Sequence, residues 1–158
     1  MNAKKEFKEM KYLLENELLP MLSISREYSL YNLFIFQEMF KRIDNKDDLK
    51  SHFFLGIYLG EFLLGNFENS GWKIEKNDYF YDWKVTIFCD NDTSLTLFPC
   101  RRARKYLNNE DYDLISYVEG IKYSMKDPNT IAQIEIFKHN GVSYNIKELK
   151  DRLNKDNK

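Results

Sequence analysis

Cysteine is scarce in this chain of 158 residues: Cys89 and Cys100 are the only two, and they lack CxxC spacing. That excludes the disulfide framework of a small secreted domain and makes a reduced, cytoplasmic protein the simplest reading. An excess of either charge is missing as well, with 24 Lys and Arg against 25 Asp and Glu for a formal net charge of -1. No global field recruits a polyanion, so nucleic acid is not favoured as a partner. Long hydrophobic runs are also lacking. The opening "MNAKKEFKEMKYLLENELLP" is interrupted by Glu9, Glu15 and Glu17, unlike the continuous apolar core of a secretory signal. The most apolar stretch, Phe53 to Phe67, falls short of the roughly 20 residues of a membrane span and carries Glu61 near its middle. It reads as a buried helix, and no membrane association is expected. Catalytic signatures of the GxSxG, GxxxxGK[ST], GxGxxG and HExxH types are missing too, so an enzyme is the less favoured expectation.

Aromatic side chains are plentiful at 16% of the sequence, which supplies the bulk for a packed core and excludes wholesale disorder. The length fits a single domain, residues 1–158, with a charged tail over about residues 154–158. Phe7, Met10, Leu14 and Leu18 recur at steps of three and four, which predicts a helix from Ala3 to Leu19 that ends at Pro20. Arg26 to Ile43 is apolar around most of a helical circumference and has to be covered on more than one side. Asp44 to Asp48 offers caps for a third helix, from about Asp48 to Phe67. After Gly71 the period changes to two: Trp83, Val85, Ile87 and Cys89, then Leu95 and Leu97, predict a meander of two or three antiparallel strands. Pro99 opens a helical region to about Tyr123 that breaks near Asn108 to Asp111. Residues 131 to 146 predict a hairpin turning at Asn140-Gly141, and a last helix starts near Asn145. The fold class is therefore α+β, with N-terminal helices followed by an antiparallel sheet flanked by helices.

Four groups invite a chemical reading. In "FPCRRARKY", Arg101, Arg104 and Lys105 share one side of a helix at about 100° per residue, Arg102 sits at the edge, and Ala103, Tyr106 and Leu107 face the other way. These cations form a solvated face suited to an acidic protein partner, while Glu110, Asp111 and Asp113 cancel the field that nucleic acid would need. Cys100 follows Pro99 at a helix start beside arginines, where a thiol could ionise, but neither His52 nor His139 sits in a context that would make it a base. It reads as a small buried hydrophobe. Asp90, Asp92 and Ser94 imitate the start of a calcium loop, which fails at Leu95 and Arg101, so no metal and no cofactor are expected. Glu61 is the only charge between Lys50 and Glu68 on an otherwise apolar helix. It has to be hydrogen-bonded, paired or exposed in a cleft, and a structural role as an acceptor for an Arg, a Tyr or a loop is weighed against a general acid or base. Gly56 and Gly60, one turn apart, leave a flat strip for close approach.

"LGIYLGEFLLGNFENSGWKI" together with "LFPCRRARKYLNNEDYDLISYVEG" resembles a pattern of small bacterial α+β domains. Their helix of the form leucine-glycine-x-tyrosine-x-glycine-glutamate leads through a Gly-Trp turn into strands and then a proline-initiated basic helix. Leu55, Gly56, Tyr58, Gly60, Glu61, Gly71, Trp72 and Pro99 carry the match, over about Phe53 to Tyr123, and Cys100 replaces the usual aromatic after the proline. The resemblance implies an accessory or immunity-like protein that acts by binding another protein, for instance a toxin that it neutralises. A small hydrolase built on Glu61 or Cys100, and a nucleic-acid binder using Arg101, Arg102, Arg104 and Lys105, are the alternatives.

Overall fold

The computed structural model describes residues 2–42, 48–88, 94–110 and 113–126, the last stretch with side chains to residue 122. The expected roles of Cys89, of Asp90 and Asp92, of the Asn140-Gly141 hairpin, of the helix near Asn145 and of the charged tail fall outside them. The fold is α+β: helices come first, a three-stranded antiparallel sheet follows in the order β1-β2-β3, and helices close the described chain. Two compact units divide it, residues 1–111 and residues 112–158.

Helix α1 (Ala3–Leu13) starts on Asn2, whose side chain accepts the Lys4 N–H at 2.9 Å. It runs into one π-helical turn, Leu14–Leu18, and then into α2, Leu19–Met21. Pro20 thus lies inside the helix rather than ending it. A proline ring removes a donor and crowds the carbonyl four residues earlier, and a turn wound with a longer hydrogen-bond step relieves both. The Leu19 N–H accordingly reaches back to Leu14. The true stop is Ser23 at φ 57°, with Ile24 N–H bonded to Leu19 O at 2.9 Å and Ser23 N–H to Pro20 O at 3.1 Å. This is a Schellman closure, with buried Ile24 packing where such a motif puts its apolar residue. Serine in the left-handed region carries a steric cost that glycine escapes. Ser23→Gly is therefore expected to raise stability by roughly 0.5 kcal/mol once glycine's greater chain entropy is subtracted. A urea midpoint below that of the parent would refute this.

The second predicted helix is shorter than expected. Helix α3 covers Leu30–Arg42, because Ser29 Oγ accepts the Asn32 N–H and Asn32 in turn holds Glu27 O and Ser25 Oγ. Such local side-chain bonds offer the backbone an alternative to helix. Helix α4 (Leu49–Asn66) is capped by Asp48 and is buried from Ser51 through Leu63 apart from Phe54, so it forms the core of the first unit. No helix among the described residues is long and apolar enough to cross a membrane.

Strands β1 (Ser70–Lys73), β2 (Lys84–Phe88) and β3 (Ser94–Leu97) pair with Trp72 opposite Val85 and Val85 opposite Leu97. The period of two turns Val85, Ile87 and Leu97 inward and leaves Lys84, Thr86 and Phe88 more exposed. A 3-10 turn, Phe80–Asp82, stacks Phe80 on Phe53 at 3.7 Å between ring centroids. Phe7 of α1 lies between Trp72 at 4.8 Å and Trp83 at 5.3 Å, which ties the N-terminal helix to the sheet. Helix α5 (Pro99–Leu107) starts at Pro99 as expected and closes on Asn109 at φ 59°. In the second unit, α6 (Leu114–Lys126) is started by Asp113, whose Oδ1 accepts the Ser116 N–H at 2.9 Å.

Candidate functional site

The glycine strip of α4 is the organising feature of the first unit. A Cβ built on Gly56 would stand 2.5 Å from Cys100 Sγ and 2.6 Å from Cys100 Cα, so the start of α5 lies directly on α4 at that point. A Cβ on Gly60 would stand 1.9 Å from Trp72 Cζ2, so the indole of Trp72 in β1 lies directly against the next turn. Glu61 follows at once, and its Oε2 accepts the Trp72 Nε1–H at 2.9 Å while its Oε1 pairs with Lys11 Nζ at 3.0 Å. The partners expected from sequence were an Arg, a Tyr or a loop; they are a tryptophan and a lysine. Burial works against the Lys11 ammonium, but the hydrogen bond and charge of Glu61, with Glu15 behind them, leave its pKa above the ordinary lysine value. Tyr28 Oη approaches Glu15 at 3.5 Å, and burial, reinforced by Glu15 and Glu61, pushes its ionisation well above the usual tyrosine range. Both Glu61 oxygens are thus engaged in holding α1, α4 and β1 together. An ion pair with an added indole donor compensates a carboxylate for lost water.

Cys100 is fully buried, and burial drives its thiol pKa far above the usual range. Thiolate is the nucleophile, so this group lies at the inert end of cysteine chemistry. The shift has a stability consequence. An acid whose folded pKa is raised contributes fully below its unfolded pKa, here 9.0, and that contribution is lost as pH climbs from there towards the folded value. At pH 10, one unit above, the thiol accounts for about 1.4 kcal/mol of lost stability. Urea unfolding at pH 8 and pH 10 is expected to show the parent losing that much more than Cys100→Ala. Parallel losses would contradict the burial of this thiol.

The basic run divides as its helical period dictates: Arg101 and Lys105 are exposed, Arg102 and Arg104 are intermediate, and Ala103, Tyr106 and Leu107 are buried. Arg101 is not an unengaged cation. Its Nε donates to Tyr81 O at 2.7 Å, a terminal nitrogen meets Asp82 Oδ1 at 2.7 Å, and the guanidinium lies 3.9 Å over the Phe98 ring. Tyr81 in turn meets His52 Nδ1 at 2.6 Å through its hydroxyl, so His52 belongs to the same packing cluster. Arg104 leans towards Glu110 at 3.8 Å. The far end of α5 is closed by another helix: Lys41 Nζ donates to Tyr106 O at 2.6 Å and to Asn109 Oδ1, where a cation complements the helix dipole.

One feature had no counterpart in the sequence reading. The end of α2, the last turns of α3 and the first turns of α4 enclose a groove of about 460 Å³. Leu18, Met21, Leu22, Met39, Phe40 and Phe54 line it together with Arg42, Asp48, Lys50 and Ser51. Among the described residues, no group of three or more His, Cys, Asp or Glu could hold a metal ion. No protein-family model, curated protein or solved structure matches this chain.

Proposed function

We propose that this chain is a non-catalytic protein-binding protein, an accessory or immunity-like factor acting in a bacterial cytoplasm, and that it binds through the groove of α2, α3 and α4. One observation carries the reading: Met21 is 72% exposed while lining a depression together with the apolar side chains of Leu18, Leu22, Met39, Phe40 and Phe54. Exposed apolar side chains gathered at a depression mark contact surfaces, and methionine adapts to the shape of what it meets. The groups that a hydrolase would use favour the same reading, since Glu61 is engaged by Lys11 and Trp72 and Cys100 lies against Gly56. The outer face of α5, Arg101, Arg102, Arg104 and Lys105, is a secondary area. Cations there set orientation and association rate more than affinity, and Arg101 contributes least because Asp82 already neutralises it.

The test is affinity capture from the native host with the parent and with Met21→Glu, followed by calorimetry with the purified partner. The expected result is a partner whose affinity falls at least about tenfold, or roughly 1.4 kcal/mol, on substitution. Melting should not change, because the Met21 side chain is mostly in solvent. Equal binding of the parent and Met21→Glu by that partner would remove the groove from the proposal. Hydrolytic turnover that Glu61→Gln abolishes without lowering the melting temperature would replace the proposal by the enzyme.

A further inference from the structure

We infer that Met21 is a modification site for peroxides, whose oxidation to the sulfoxide makes the depression polar and weakens binding there while the fold is kept, an inference that rests on the protein-binding reading above. Of the methionines whose side chains are described, Met10 and Met39 are half-buried, whereas Met21 is 72% exposed. A thioether reacts once a peroxide reaches its sulfur, so exposure sets the order among them. Among the described residues the competing thiol is Cys100, which has no exposed surface and is held protonated by burial.

The step is a two-electron oxidation. A lone pair of the Met21 sulfur attacks one oxygen of hydrogen peroxide, and the O–O bond breaks as the S–O bond forms. The other oxygen leaves and becomes water with the proton that the transferred oxygen gives up, so sulfur is oxidised and peroxide is reduced. The product is uncharged but carries a strong hydrogen-bond acceptor. Met21 is the last residue of α2 and lines the depression with Leu18, Leu22, Phe40 and Phe54. A partner that covers these side chains has to strip water from the sulfoxide oxygen without replacing its hydrogen bonds, and affinity falls. The parent side chain stands mostly in solvent, so the added oxygen displaces no core atoms. Enzymatic reduction of the sulfoxide returns the thioether, which makes the change reversible.

The test treats the full chain and Met21→Leu with hydrogen peroxide and follows each methionine by peptide mass spectrometry. Met21 is expected to oxidise at least about threefold faster than Met10 and Met39. The chain oxidised at Met21 should melt with the parent yet elute earlier from a phenyl column in falling ammonium sulfate, and methionine sulfoxide reductase should restore the parent's elution. Met21→Leu given the same dose should keep its retention. Equal rates at Met10, Met21 and Met39, an unchanged retention, a lowered melting temperature, or an equal shift in treated Met21→Leu overturns the inference. A partner captured as above should bind the sulfoxide form at least about tenfold more weakly than the reduced chain. A partner that depends on Met21 but binds both redox forms equally removes this inference alone, whereas a partner indifferent to Met21 removes the groove from the functional reading and the inference with it.

Discussion

Gly60→Ala is expected to cost about 3 kcal/mol of unfolding free energy, although alanine is the better helix former by nearly 1 kcal/mol. The added Cβ would sit 1.9, 2.3 and 2.9 Å from three carbons of the Trp72 ring, well inside contact distance. The ring has little room to retreat. Phe7 packs on it at 4.8 Å and Glu61 holds its Nε1 at 2.9 Å, so a shift breaks a part-buried hydrogen bond and parts α1 from the sheet. Gly56→Ala should behave alike, because its Cβ would meet backbone atoms of Cys100 at 2.6 and 2.9 Å and α5 would have to move as a body. Gly65 supplies the control. A Cβ there meets only Tyr28 Cβ at 3.9 Å, an ordinary contact, so Gly65→Ala should be neutral or stabilising by up to about 1 kcal/mol. Urea unfolding of the three variants decides the matter, and a Gly60→Ala chain as stable as Gly65→Ala would refute the close approach.

Glu61→Ala is expected to cost about 3 kcal/mol and Glu61→Gln only about 1 kcal/mol. Alanine leaves the part-buried Trp72 Nε1–H without its protein acceptor and removes packing atoms from a helix that is buried along most of its length. Glutamine keeps an oxygen for the indole and gives up only the pairing with Lys11. The Lys11 side chain is 38% exposed, so water replaces much of what its ammonium loses, and the ion pair is correspondingly discounted. The order of the two variants distinguishes a scaffold carboxylate from a catalytic one. A catalytic group tolerates neither change in activity yet need not stabilise the fold, whereas this one should show a graded loss in melting. A Glu61→Ala chain that melts with the parent would sink the structural role.

The sequence made legible what is local. Asp48 as the cap of α4, Pro99 as the start of α5, the alternation of Val85, Ile87 and Leu97, and the outward turn of Arg101 and Lys105 all follow from short-range rules, and the structure has them. The need for a partner at Glu61 was legible for the same reason: a carboxylate on an apolar helix has an energetic problem whatever surrounds it. Its partners were not, because Lys11 lies fifty positions earlier and nothing in the spacing of Trp72 reveals which way its indole turns. Arg101 is a parallel case. Its acceptor Asp82 comes from a turn nineteen residues back, so a face that reads as fully solvated is in part an internal clamp. Pro20 misled through a competing local effect, since the π-helical turn lets the helix absorb the proline. The groove was invisible because three helical segments make it together.

The contact of Gly56 with Cys100 also makes the sulfur a reporter of motion. With no exposed surface and backbone on the facing side, Sγ can meet a bulky reagent only when α5 has parted from α4. In a chain with Cys89 replaced by serine, the labelling rate at low reagent therefore follows the equilibrium population of that opened form, and at high reagent it reaches the rate of opening itself. Raising the reagent concentration thus separates how often the two helices part from how fast they do so.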